Sequence, residues 1–281
     1  MRQFTLLFKN PSFLISFVVF FGLVLVGLLF PIFVHGSPVD RLGCPFEAPT
    51  AHFLLGTNEE GQDMFVRLLF GLRSSLYVGL FAGTIATVLG VVIGLIGGYK
   101  GGLLDNVLTM LTNLFIVIPS LVVLILISNS LGPKGRSLEV VSIIIGATCW
   151  AWTARAVRAQ AQSLKMRDHV NLAKLNGYGT TSIILMQILP YTLSYVFMAF
   201  IIQMATGILE EAAISMMGLG PYDSVTLGFI LNNAQKAEAL VNGDWWSFIP
   251  AAVLVTLLQY SLFVMNTSME TIFNPRLRKE E

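Results

Sequence analysis

The groups in this chain that could do chemistry are few and far apart. His35, His52 and His169 are its only histidines, and their separations match no metal-ligand spacing. Each reads as a solvated loop residue. Cys44 and Cys149 are too distant in sequence to suggest a disulfide framework, and Cys149, set in an apolar stretch, reads as a small buried hydrophobe. Gly132-Pro133-Lys134-Gly135-Arg136-Ser137 has the flavour of a phosphate loop without the G-x-x-x-x-G-K-S/T spacing. No nucleophile stands beside a base, and no apolar run holds the paired carboxylates of a proton-coupled carrier. Gln203 is the notable polar group inside such a run; a hydrogen bond between helices is the first reading for it and substrate contact the second. These residues predict no catalytic group, no metal site and no cofactor held by the chain itself.

The elements that would position any site belong in a membrane. At 281 residues, 55% hydrophobic and 12% charged, with mean hydropathy +0.75, the chain is too apolar for a soluble domain. A net charge of +1 gives no reason to expect a nucleic-acid partner. Runs of about 20 apolar residues are what a spanning helix needs, because only a helix or a closed barrel satisfies its backbone in lipid. Six runs qualify, over 13–34, 76–98, 107–127, 139–153, 188–209 and 248–269, the fourth being short. The first is too long for a signal-peptide core and is followed by no small-residue cleavage site, so it is expected to stay. The expected fold is an all-α, six-span polytopic membrane protein. With no internal repeat evident, it forms one domain.

Charge sets the expected orientation. With the N-terminus inside, 11 of the 17 basic residues fall in inner segments and 6 in outer ones, in line with the positive-inside rule. Both termini are then cytoplasmic. The longest inner loop, 154–187, carries Arg155, Arg158, Lys165, Arg167 and Lys174. The outer segments are also long, 35–75 and 210–247. Within the first, Met64, Phe65, Leu68, Leu69 and Leu72 recur at helical spacing. That pattern fits either an amphipathic helix on the outer membrane face or a short helix packed on its own bundle. The chain thus divides into 1–75, a first span with an outer segment, and 76–281, a five-helix core containing the inner loop.

The inner loop is the informative part. Asn171-Leu172-Ala173-Lys174-Leu175-Asn176-Gly177 is followed nine residues later by Gln187-Ile188-Leu189-Pro190. It reads as two short helices broken at Gly177, with Pro190 near a fresh helix start. This stretch resembles the E-A-A-x-x-x-G-x9-I-x-L-P loop of the inner-membrane permeases of binding-protein-dependent ABC importers, in the dipeptide/oligopeptide/nickel group. The match lies at Ala173, Gly177, Leu189 and Pro190; Asn171, Leu172 and Gln187 depart from it. Further motifs follow in order. Leu55 to Asp63 resembles L-G-T-D-x-x-G-R-D, with Asn58 and Gln62 as departures. Gly98 to Asp105 resembles G-Y-x-G-G-x-x-D, and Pro119-Ser120 matches I-P-S. Trp150 to Arg158 resembles W-x-x-x-A-R-x-V-R, Glu211 to Gly220 resembles E-A-A-L-S-F-L-G-L-G, and Asn274 to Arg278 resembles D-P-R-L-R.

The resemblance implies a type I ABC importer permease of the second, C-type kind, forming half of a translocation pore. It implies a homologous permease as partner, two ATPase subunits that hold ATP and magnesium, and an extracytoplasmic solute-binding protein. Asn171, Leu172, Ala173, Lys174, Asn176, Gly177, Leu189 and Pro190 would then contact the ATPase, with Arg155 and Arg158 framing the loop. Glu210, Glu211, Trp245 and Trp246 would lie outside, at an outer gate or a binding-protein contact. A capped helix end turning at Gly218-Leu219-Gly220 accounts for the Glu211 segment equally well. The stretch after Gly220, with Trp245 and Trp246 as possible sugar-stacking faces, leans to an oligosaccharide over an oligopeptide; membrane-interface anchoring is the commoner role of such tryptophans. Nickel fits least. An ATP-independent channel or a non-transporting scaffold is the alternative outside this family.

Overall fold

A chain that leaves water must satisfy its own backbone, and the apolar runs do so as helices. The computed structural model describes residues 7–33 and 36–273; His35 and the Asn274–Arg278 motif lie outside them. The fold is all-α, and among the described residues the only extended pairings are isolated bridges, Arg41 with Gln62 and Thr57 with Asp63. In chain order the helices are α1 (Pro11–Phe33), α2 (Met64–Lys100), α3 (Gly102–Val117), α4 (Ser120–Leu131), α5 (Leu138–Cys149), α6 (Ala151–Lys165) and α7 (Asp168–Leu175). Then come the 37-residue rod α8 (Thr180–Met216), α9 (Leu227–Lys236), α10 (Ala239–Asn242) and α11 (Ile249–Phe273).

Four helices are long and apolar enough to cross a membrane, and two bent pairs bring the number to as many as six. The third and fourth runs are these pairs: α3 and α4 meet at 82°, α5 and α6 at 45°. Pro119 explains the first bend, because the residue before a proline is pushed out of the helical region; Ile118 has ψ 122°. Large apolar side chains such as Ile15, Ile32 and Phe33 on α1 and Leu103 and Val117 on α3 face outward, as lipid-facing surfaces do.

The structure corrects several boundaries. The periodic stretch at 64–73 is no separate interfacial helix. It forms the first turns of α2, with Met64, Leu68 and Leu72 in the main apolar core beside Ile208, Leu227 and Leu258. The division at 75/76 therefore falls inside one helix. The interval 154–187 is mostly helix too, with only 166–167 and 176–179 outside α6, α7 and α8. Pro190 stands in the first turn of the α-helical stretch Leu189–Met216, as its position suggested. It lies within α8, just after a π-helical turn over Ile184–Ile188. A proline offers no N–H, and a widened turn accommodates the gap in the ladder.

Helix α2 is the mast of the bundle, packed against α5, α6 and α8. Its contact stripe is made of glycine. A Cβ on Gly83 would come within 2.8 Å of the Met204 backbone nitrogen, one on Gly94 within 2.7 Å of the Ala154 carbonyl oxygen, and one on Gly98 within 2.6 Å of the Arg158 carbonyl oxygen. Backbones at this range gain packing that no larger residue permits, which is how helices associate in lipid. Gly83→Ala and Gly94→Ala should each destabilise the purified protein by about 1–3 kcal/mol through overpacking, read as a lowered melting temperature. Gly22→Ala on α1, where the new methyl would meet nothing within 4 Å, should leave it unchanged.

Candidate functional site

The site grows from the turn between α6 and α8. Asp168 stands in the first turn of α7 and Lys174 in its last, each matching the helix dipole at its end. The helix stops at Gly177, whose φ of +78° suits glycine. Tyr178 N donates to Ala173 O at 3.1 Å and Gly177 N to Lys174 O at 3.0 Å, the paired closure of a Schellman end. A methyl at Gly177 would meet nothing within 4 Å, so the backbone angle, not space, requires this residue.

Only one side of α7 is buried. Val170 and Ala173 enter a cluster with Leu95, Tyr99, Val157, Ala161, Ile183 and Ile188, so α7 is seated on the ends of α2, α6 and α8 at once. Lys165 and Lys174 each set an ammonium over the Tyr99 ring, at 5.8 and 5.9 Å from its centroid. The other side is exposed and apolar: Leu172 is 59% accessible, Leu175 84% and Met166 77%. Asn171, Asn176, Gly177 and Pro190 are exposed as well, while Leu189 is half-buried beside the cluster. This apolar patch, rimmed by Lys165, Arg167 and Lys174, is left uncovered by the rest of the described chain.

Two motifs that are far apart in sequence meet here. Arg158 grips Asp105 with two bonds, Nε to Oδ1 at 2.5 Å and Nη2 to Oδ2 at 2.7 Å. Arg155 donates to Asn113 Oδ1 at 2.8 Å. Both arginines thus bind α6 to α3 instead of touching α7. His169 is not a freely solvated loop residue. It is half-buried, its Nε2 lies 3.2 Å from the Gln187 carbonyl oxygen beside the π turn, and its ring packs on Tyr191. His52 is exposed, stacked on Phe53. Gln203 makes the inter-helix bonds its position suggested, donating to Cys149 O and Thr153 Oγ1.

At the opposite end, most of the residues read as a gate or binding-protein contact are buried or half-buried and bonded within the fold. Glu211 is fully buried and accepts from Ser75 Oγ at 3.2 Å and Ser215 Oγ at 2.6 Å, tying α8 to α2. It offers no surface to another protein. The helix ends at Gly218 in a second Schellman closure, with Leu219 N on Ile214 O at 2.9 Å. Glu210 is half-buried and accepts from Ser120 Oγ at 2.5 Å, which holds the α3–α4 bend to α8. Trp246 is buried and donates to Thr57 O at 3.1 Å, leaving Trp245 as the exposed member of the pair. The Leu55–Asp63 motif folds the outer segment. Asp63 caps α2 by accepting from Phe65 N at 2.8 Å, and Asn58 Nδ2 donates to Gln62 Oε1 at 2.9 Å. The two departures from the family pattern are therefore each other's partners: a neutral amide pair stands where the pattern has an acid and a base.

Comparison with known proteins agrees with this arrangement. Residues 90–279 match the family described as binding-protein-dependent transport system inner membrane component. The chain is 33% identical over 254 residues to the oligopeptide transport system permease protein of Salmonella typhimurium, covering 89% of this chain and 82% of that one. It is 30% identical over 234 residues to a dipeptide transport system permease protein of Bacillus subtilis, covering 82% and 71%. It is 27% identical over 288 residues to its counterpart in Haemophilus influenzae, covering 99% and 96%. The apolar helices, the fold and these matches converge: the chain belongs to the binding-protein-dependent transport system inner membrane component family, as a multi-pass permease subunit of an ABC importer.

Proposed function

We propose that this permease serves a peptide importer and that α7 is where an ATPase subunit docks. The observation that carries the docking is the exposed apolar face of Leu172 and Leu175 on a short helix whose other face is locked into the ends of three long ones. The peptide reading takes its support from relatives named for dipeptides and oligopeptides. It replaces the lean toward oligosaccharide, which rested on the stretch after Gly220; of the two tryptophans there, Trp246 is committed to Thr57 within the fold.

In this reading the chain pairs with a homologous permease to complete the pore. Two ATPase subunits hold ATP and magnesium below it, and a binding protein delivers peptide from the face that carries the 36–63 segment. The basic residues gathered around α7 support placing that end, and both termini, in the cytoplasm. Closure of the ATPases on ATP pulls α7, and its seat on α2, α6 and α8 makes the pull a rigid-body displacement of the pore helices. Turning a 1:99 equilibrium into 99:1 takes about 5.5 kcal/mol of differential binding, shared between ATP and the loaded binding protein.

Gly177→Pro should abolish uptake of a radiolabelled tripeptide into proteoliposomes holding the full transporter, while the chain still inserts and purifies. Normal uptake by that variant would contradict the docking assignment. Gly177→Ala, which forces an L-residue into the left-handed region at roughly 1–2 kcal/mol, should give an intermediate rate. Asp105→Asn removes the charge and one of the two acceptor oxygens that hold Arg158, and should lower stability by about 1–3 kcal/mol, measured by thermal melting of the complex.

A further inference from the structure

A cleft of about 640 Å³ opens between α6, α8 and α11 on the α7 side of the bundle. Its polar lining comes from Gln160, Ser194, Tyr195, Gln203, Asn266 and Glu270. Gln203 is only 5% exposed. Its amide nitrogen is spent on Cys149 O at 2.9 Å and Thr153 Oγ1 at 2.8 Å. That donation fixes which way the amide points, since the reversed group would press oxygen against a carbonyl oxygen. The remaining atom, Oε1, is buried and accepts no hydrogen bond; Asn266 Oδ1 is in the same position. Two unused buried acceptors on the walls of one cleft are unusual, because such atoms are nearly always paired.

The charge of the cleft points the same way. Glu270 lies one turn beyond Asn266 on α11, and among the described residues no lysine or arginine lines the space. Tyr191 and Tyr195 supply aromatic walls, surfaces that attract a cation; the Trp152 ring already carries Arg155, 5.4 Å from its centroid. Such a site suits a ligand that donates hydrogen bonds and carries positive charge. It suits a neutral sugar less and a free carboxylate least.

We infer that this cleft is a subsite for the amino-terminal part of a transported peptide, with backbone N–H groups on Gln203 Oε1 and Asn266 Oδ1 and the ammonium facing Glu270. The inference rests on the peptide reading above and adds to it the residues that recognise the substrate inside the membrane. A merely structural role would predict a loss of folding. A subsite predicts peptides lost per turnover.

The test is made on the full transporter, with its partner permease, ATPases and binding protein, reconstituted in liposomes with trialanine as probe. The quantity read is trialanine delivered per ATP hydrolysed. Glu270→Gln, at an exposed position that cannot disturb the core, and Asn266→Leu should each lower that ratio at least tenfold. A ratio within twofold of the parent in both variants, with peptide still transported by the parent, overturns the subsite and leaves the peptide reading standing. Should Asn266→Leu fail to assemble, Glu270→Gln alone decides. A parent transporter that carries maltotriose and no trialanine overturns the peptide reading itself, and the subsite with it.

Discussion

Backbone contact along α2 is the constraint on which the rest of the structure depends. Lipid tails are as apolar as leucine, so helices in a bilayer gain little by merely covering one another; they gain by packing closely. Glycines at 79, 83, 90, 94 and 98 bring α2 against the backbones of α6 and α8. Gly146 does the same from the α5 side, where a Cβ would lie 2.9 Å from the Ala82 carbonyl oxygen. Helices in contact at this range shift together or not at all, because close-packed interiors transmit strain instead of absorbing it.

That rigidity gives α7 its meaning. Eight residues of helix cannot move a pore alone, but α7 shares one apolar cluster with the ends of α2, α6 and α8. A displacement at Leu172 or Leu175 is thereby a displacement of three membrane helices. Compliance is confined to a few places: the 82° break at Pro119, the 45° break before Ala151 and the π turn at Ile184–Ile188. Polar pins stand near them. Glu210 holds Ser120 after the first break, Arg155 holds Asn113 on the helix before it, and His169 meets Gln187 at the π turn. Buried Glu211 works differently. With no counter-charge among its hydrogen-bond partners, it joins α8 to α2 through the Ser75 hydroxyl, while Ser215 bonds it within α8.

Much of this was legible in the residues, for identifiable reasons. Long apolar runs can be satisfied in lipid only as helices, so the number of spans follows from hydropathy. Their ends do not, because hydropathy falls wherever polar side chains begin, whereas α8 continues to Met216 once Glu210 and Glu211 find partners inside the bundle. Periodicity at 64–73 showed an apolar face without saying whether lipid or protein would cover it; the core at Leu227 and Leu258 does. The break at Gly177 was readable because only a positive φ ends a helix in that way. The meeting of Asp105 with Arg158 was not, since 53 residues separate them and nothing local announces the pairing. The glycine stripe was visible as small residues three or four apart on an apolar run, a signal that goes unread when glycine is taken only as a helix breaker. Trp246 looked like a binding residue because a tryptophan near a membrane end has several possible uses, and burial alone separates them.

The claim most in need of a direct test is that α7 touches an ATPase. A photo-crosslinking amino acid placed at Leu175, in the whole transporter in liposomes, reads the contact itself. The account predicts a covalent adduct with the ATPase subunit whose yield changes when ATP is added. Adducts with lipid or with the second permease, and none with the ATPase, would contradict it.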